Sequence, residues 1–188
     1  MSHDALREPL ASIASEYDFI FLDTSPSMTP PTKAAYMAAA YFILTAVPER
    51  LAIEGLVNAV RYISHAHKGG NPDLRLMGVV MNQVPGRHTK LSRLLLGEVE
   101  KHFGGGDEFR RPFENYITQS TMVPSVQQGG QTLIEAAPDH KVTKQYRALA
   151  RELLARFEKL EGKTLEPAPP RKPLTEPEQQ PAQEAANG

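Results

Sequence analysis

Phe19-Ile20-Phe21-Leu22-Asp23 decides how the rest of the chain is read: four consecutive apolar residues closed by a single acid. A compact run of this kind is the pattern of a strand buried on both faces. An acid at the exposed end of such a strand serves either of two purposes. Nucleotide hydrolases use one to hold magnesium, usually through a water. Other α/β proteins use one to cap the next helix. The spacing alone leaves both open.

Outward from this run the hydrophobic period keeps switching. Upstream, Leu6, Leu10, Ile13 and Ala14 make a helical stripe. Downstream, Pro30 and Pro31 punctuate the chain before an alanine-rich helix over 33–40 and a second apolar strand over 41–47, stopped by Pro48. Ile53, Leu56, Val57, Val60 and Ile63 mark a helix ended by Gly69-Gly70, and 76–81 is a third strand. Leu91, Leu94, Leu95, Val99 and Phe103 mark the next helix, ended by Gly104-Gly105-Gly106. A short strand is expected near Tyr116-Ile117. A long closing helix over 142–160 carries Val142, Tyr146, Leu149, Leu153 and Phe157 on one side.

Short apolar strands alternating with helices predict an α/β domain, a mostly parallel sheet flanked by helices on both faces. Ligands in that architecture bind beyond the carboxyl ends of the strands. Two polar residues stand there: Asp23 after the first run and Asn82 after the third. If the strands are parallel, both belong to the same rim.

The bulk numbers suit one such domain. Of 188 residues, 40% are hydrophobic and 23% charged, and the formal net charge of −1 advertises no polyanionic partner for the molecule as a whole. There is no cysteine, which removes disulfides and thiolate metal sites. The apolar stretches 41–47 and 76–81 are too short to span a bilayer, and the N-terminus lacks a secretory profile, so a cytoplasmic location without membrane attachment is expected. Residues 163–188 hold six of the sixteen prolines, with Leu165 and Leu174 as the sole large aliphatics. The expected division is therefore a domain over 1–162 and a disordered proline-rich tail over 163–188.

Several segments, taken in order, carry a resemblance. Asp23-Thr24-Ser25-Pro26-Ser27 resembles the Walker B and switch II segment of ParA-type partition ATPases, whose typical form is Asp-x-Pro-Pro-Ser. Pro48-Glu49-Arg50-Leu51-Ala52-Ile53-Glu54-Gly55-Leu56 is similar to the segment after the family's next strand. Gly78-Val79-Val80-Met81-Asn82, followed by Arg87-His88-Thr89-Lys90-Leu91-Ser92, resembles its later strand and Arg-x-Thr-x-Leu-Ser helix start. Glu98-Val99 and His102-Phe103-Gly104 resemble the end of that helix. Tyr146-Arg147-Ala148-Leu149-Ala150-Arg151-Glu152-Leu153-Leu154 is similar to the family's last helix. The likeness runs from about Tyr17 to Leu160.

The resemblance implies a ParA/MinD-like P-loop NTPase fold, with ATP and magnesium as the family's cofactors. It implies Asp23 near magnesium, through a water, and Asn82 near the adenine base. It also implies DNA bound without sequence preference, a nucleoid-associated location, a centromere-binding ParB-like partner, and dimerisation or association with a full-length ParA. Two departures qualify this. The family's phosphate loop, Lys-Gly-Gly-x-Gly-Lys-Thr/Ser, and its switch I aspartate belong upstream of the Walker B strand, where sixteen residues precede Tyr17. Gly162-Lys163-Thr164 is no substitute, because the glycine required five residues earlier is Phe157. At Ile117-Thr118-Gln119-Ser120 the family has Ile-Pro-Arg-Asn or something close.

The expectation is thus an incomplete P-loop NTPase domain, truncated and not competent as an ATPase alone, with Asp23 able to hold magnesium only where a phosphate loop is supplied. A second expectation is a non-enzymatic DNA-binding or regulatory relative acting through a full-length partition ATPase. A domain short of strands should expose apolar surface and sheet edge, and so unfold with poor cooperativity. No serine–histidine–aspartate grouping has a supporting context, and no catalytic residue is assigned.

Basic residues cluster twice. Residues 87–111 hold six Lys/Arg against four Asp/Glu, and 141–163 hold seven against three. Lys144, Arg147 and Arg151 fall at helical spacing and form one stripe. Charge alone reads as a solvated helix face. The resemblance makes Arg87, Lys90, Arg93, Lys144, Arg147 and Arg151 candidate contacts to DNA phosphates. His65 and His67 lie close on a helix end without a third ligand, a poor zinc site.

Overall fold

The computed structural model of the chain describes residues 5–25, 27–86, 90–103 and 111–165. Two strands, β1 (Tyr41–Ala46) and β2 (Arg75–Met81), pair in parallel. The crossover that a parallel pair requires is the helix α3 (Arg50–Gly69). On the far side of β2 the chain returns as single bridges, Val79 with Pro112 and Val84 with Thr118. Phe113 N–H donates to Val79 O at 2.8 Å and Ile117 N–H to Met81 O at 3.0 Å. The strand expected near Tyr116-Ile117 therefore supplies ladder bonds without becoming a strand.

The two faces of the sheet are read from the side-chain clusters. Leu76, Val79 and Met81 pack with Tyr36 and Met37 of α2 (Pro30–Ala38), with Leu56, Ile63 and Ala66 of α3, and with Val99 and Phe103 of α4 (Lys90–Phe103). Met77, Val80 and Phe113 form a second cluster against Leu149, Leu153, Phe157 and Leu160 of α7 (Lys141–Glu161). β2 thus divides its side chains between two helical layers, its alternation shifted by one residue where the register slips between Phe42 and Ile43, and burial on both faces explains a strand apolar at nearly every position. Each fully buried aliphatic side chain, such as Val79, contributes about 1.5–3 kcal/mol.

Helix ends follow local chemistry. Gly70 closes α3 in the left-handed region at φ 116°, its N–H donating to Ala66 O. The buried side chain of Asn71 then donates to Tyr36 O and Ala39 O, both at 2.8 Å, and ties the end of α3 to α2. Gly162 closes α7 in the same way. Two short helices, α5 (Met122–Gln128) and α6 (Leu133–Ala136), lie between the bridges and α7; neither is long enough to show a hydrophobic period in the sequence.

One expectation fails outright. Residues 19–22 form no strand: the segment 17–25 makes no ladder bond to described residues, and Phe21 is 72% exposed. Only part of the run is anchored, with Phe19 packed edge-on against Phe157 at 4.9 Å between ring centroids. The physical reason is distance from a partner. An apolar cleft of about 520 Å³ lies between this segment and the start of β1, so no backbone is within reach to complete a ladder. Downstream of α7, Lys163 N–H and Leu165 N–H both donate to Glu158, and the tail from 166 onward lies outside the described residues.

Candidate functional site

The carboxyl end of β2 is where the chain places polar groups together. Asn82 N–H donates to Ala46 O at 2.8 Å, the last rung between the two strands. The Asn82 side-chain oxygen accepts the Gln83 N–H at 2.9 Å. Gln83 has φ 51°, the left-handed region that a residue with a Cβ enters at a cost. That reversal carries Val84 back to the sheet, where its N–H donates to Ile117 O and its carbonyl accepts from Gln119 N–H, each at 2.9 Å. A ledge of Asn82, Gln83 and Gln119 results.

Helix α7 fixes the ledge from the other side. The side-chain oxygen of Gln145 accepts from Thr118 N–H at 3.1 Å and from Thr118 Oγ1 at 2.9 Å. His140 caps the helix, its Nδ1 accepting from Val142 N–H. The structure therefore joins Asn82, the residue the resemblance puts near a base, to the segment 117–119, where the chain departs from the family's pattern. Thr118 turns its hydroxyl to Gln145 rather than to a ligand position.

Asp23 is carried to this rim by no strand, since residues 19–22 are not one. It is exposed, and it makes no hydrogen bond or ion pair with another described residue. Among the described residues there is no group of three or more histidine, aspartate or glutamate side chains able to hold a metal ion. Magnesium bound beside phosphates takes one or two carboxylates and otherwise water. Asp23 matches that demand in residue type only, and the residues present do not form a magnesium site by themselves. His65 and His67 are occupied with the carbonyls of Arg61 and Leu74, each at 2.8 Å.

The basic candidates divide. Arg87 and the side chain of Lys90 lie outside the described residues. Arg93 is exposed on the first turn of α4. Lys144 is exposed and lies 3.7 Å from Asp139, itself almost fully exposed. Arg147 is half-buried and donates to Pro138 O at 3.2 Å, and Arg151 is exposed one turn further along α7. Helices α4 and α7 cover opposite faces of the sheet, so Arg93 and the α7 stripe do not form one patch along a helix pair. Both helices nevertheless start at the same rim: α4 follows the carboxyl end of β2, and Gln145 of α7 holds Thr118 there.

Sequence reasoning missed a cluster behind the rim. Arg156 and Glu152, one turn apart on α7, meet at 2.8 Å and are both largely buried. Burial pulls the Glu152 carboxyl upward, but hydrogen bonds from Asn115, Glu114 and Arg156 outweigh it and hold the group below the usual carboxylate range. The i, i+4 spacing was visible, while its burial was not.

Residues 1–76 match a family model described as an AAA domain. The chain is 30% identical over 154 residues to the chromosome-partitioning ATPase Soj of Thermus thermophilus, across 82% of this chain and 59% of that protein. It is 28% identical over 151 residues to the chromosome partitioning protein ParA of Myxococcus xanthus, across 80% of this chain and 51% of that one. It therefore spans between about half and three-fifths of these relatives' lengths. Among solved structures, apo McdA of Cyanothece superposes with a TM-score of 0.69 at 17% identity, over 81% of this chain and 60% of that chain. Cobyrinic acid a,c-diamide synthase of Mycobacterium smegmatis, with bound ATP analog and magnesium, superposes with a TM-score of 0.61 at 23% identity, over 87% and 56%.

Proposed function

The chain belongs to the ParA-type P-loop ATPase family, and from that membership we propose that it serves in the partition of plasmid or chromosomal DNA by binding DNA without sequence preference. The observation that carries the proposal is the stripe of Lys144, Arg147 and Arg151 on α7, which starts at the same rim as Arg93 of α4. Point charges on an exposed helix suffice to hold phosphates, and they select no base. Arg87 and Lys90 are proposed as further phosphate contacts on the resemblance alone. The protein is then nucleoid-associated, and its partners are DNA, a centromere-binding ParB-like protein, and a second copy or a full-length ParA. No helix of the described residues is long and apolar enough to cross a membrane.

The 188 residues carry no Lys-Gly-Gly-x-Gly-Lys-Thr stretch, and Asp23 stands outside the sheet. ATP and magnesium, the family's cofactors, are accordingly not held by these residues alone in this reading. The exposure of Asp23 also favours the second reading, a regulatory relative acting through a full-length partition ATPase. Calorimetry separates nucleotide use from DNA use: no heat of binding is expected with magnesium and ATP, and measurable ATP affinity would overturn the non-ATPase part.

DNA affinity should fall with salt at a log–log slope of about −0.9 per phosphate contact. Arg147→Glu should weaken binding across all sequences and remove about one unit of that slope. An affinity constant from low to high salt, or unchanged by Arg147→Glu together with Arg151→Glu, would reject DNA binding by this surface.

A further inference from the structure

Helices α2 and α3 leave an open pocket of about 390 Å³ between them. Each helix gives it one stripe at spacings of three and four: Lys33, Tyr36 and Met37 on α2, and Tyr62, His65 and Gly69 on α3. The walls are tied together by backbone acceptors. Arg7 of α1 (Arg7–Ile13) donates to Met37 O and to Gly70 O, each at 2.9 Å, and the Asn71 side chain donates to Tyr36 O at 2.8 Å. The pocket is therefore formed before any ligand arrives.

Its lining combines rings with free donors. The Tyr36 and Tyr62 rings meet edge-on, 6.3 Å apart at 74°. Neither hydroxyl has a hydrogen-bond partner among the described residues. No buried side-chain oxygen among them lacks a partner, so the hydroxyl of the otherwise buried Tyr36 stands at open space. Burial, and then the neighbouring Tyr62, push Tyr36 up to about 12, so that group stays a donor at neutral pH. Lys33 is exposed and pairs with no acid among the described residues. It is the one lysine or arginine among the described lining residues, and no aspartate or glutamate accompanies it.

We propose that this pocket binds a small aromatic monocarboxylate, its flat body against Tyr36, Tyr62 and Met37 and its carboxylate on Lys33 and the phenol hydroxyls. Each part of the ligand answers a group in the lining. Two phenol rings and a thioether favour a flat, polarisable body. A single lysine with neutral donors beside it suits one negative charge, where a polyphosphate would need several cations. The volume suits a ligand of one or two rings.

The test uses the 188-residue protein with carbon-13 in its methionine methyls, and 2-naphthoate as the probe. Ring currents should move the Met28 and Met37 resonances, both at the pocket. Met77, which lines the cleft beside β1, should stay in place. A dissociation constant of about 1 mM or below is expected for a ligand of this size. The amide 2-naphthamide, flat but uncharged, should bind about fivefold more weakly, and Lys33→Gln should cost naphthoate a similar factor. Gly69→Leu should abolish the shifts and leave the urea midpoint unchanged, since a Cβ there meets Met37 Sδ at an ordinary 3.4 Å and the longer side chain fills the pocket. Equal affinity for the amide, or unchanged affinity in Lys33→Gln, would show mere apolar adhesion and overturn the proposal. So would shifts at Met77 in place of Met37, or no shift at about 5 mM naphthoate.

Discussion

The two strands of one sheet live under opposite conditions. β2 is enclosed on both faces and bonded along both edges, while β1 has an edge, a cleft and an irregular segment beside it. The difference originates in α7. On the β2 side, Arg156 lies 4.0 Å above the Phe113 ring centroid and donates to the carbonyls of Met77 at 3.1 Å and of Arg111 and Pro112 at 2.8 Å. Glu152 accepts from the N–H groups of Glu114 and Asn115, each at 2.9 Å. One ion pair thereby clamps the returning chain against β2. On the β1 side, α7 supplies Leu153 and Phe157, which offer contact without hydrogen bonds, and the backbone there stays unladdered. Apolar contact can hold a segment nearby, but a strand is made by partners for its peptide groups.

The hardest blow to the closed side is Gly78→Ala. Gly78 has φ 140°, and a Cβ there would stand 2.6 Å from an Arg156 guanidinium nitrogen, 2.7 Å from Arg111 O and 2.9 Å from the Phe113 ring. Backbone strain and overpacking together should cost about 4 kcal/mol, read as a fall in the urea midpoint. A loss under about 1 kcal/mol would mean that the clamp yields easily and that the contrast between the strands is shallow.

Glu152→Gln should come next, at about 2 kcal/mol near neutral pH, because the largely buried Arg156 loses its counter-charge while most hydrogen bonds survive. The sign with pH follows from the lowered carboxyl. A group held below its unfolded pKa stabilises the fold fully above the ordinary carboxylate range, and that contribution fades as pH falls through the folded value. The gap between the native protein and the variant should therefore narrow in acid. A gap that stays constant as pH falls below the usual carboxylate range would remove Glu152's charge from the account.

These particulars also explain what could be read in advance. The strands near 41–47 and 76–81 were legible because two helical layers demand apolar residues at nearly every position. The end of α3 was legible because Gly69-Gly70 stands there. Asn82 was placed correctly at the end of β2, since a single polar residue after an apolar run marks the rim. The clamp was not legible, as Glu152 and Arg156 look like any exposed pair one turn apart until the sheet is laid against them. The segment 19–22 was read wrongly for the converse reason. Its composition is that of a buried strand, but composition states an appetite for burial and not the presence of a neighbour to pair with.

Phe21→Ser measures that last distinction and should be nearly silent. With the side chain 72% exposed, truncation opens no cavity and strands no polar group, so the stability change should stay within about 0.5 kcal/mol. A buried strand phenylalanine in the same position would lose about 3 kcal/mol or more. Urea titration of the variant therefore discriminates between two states of one segment. A silent Phe21 confirms that the apolar run waits beside the sheet, whereas a cost near that of a core phenylalanine would place it inside a completed ladder and erase the asymmetry between β1 and β2.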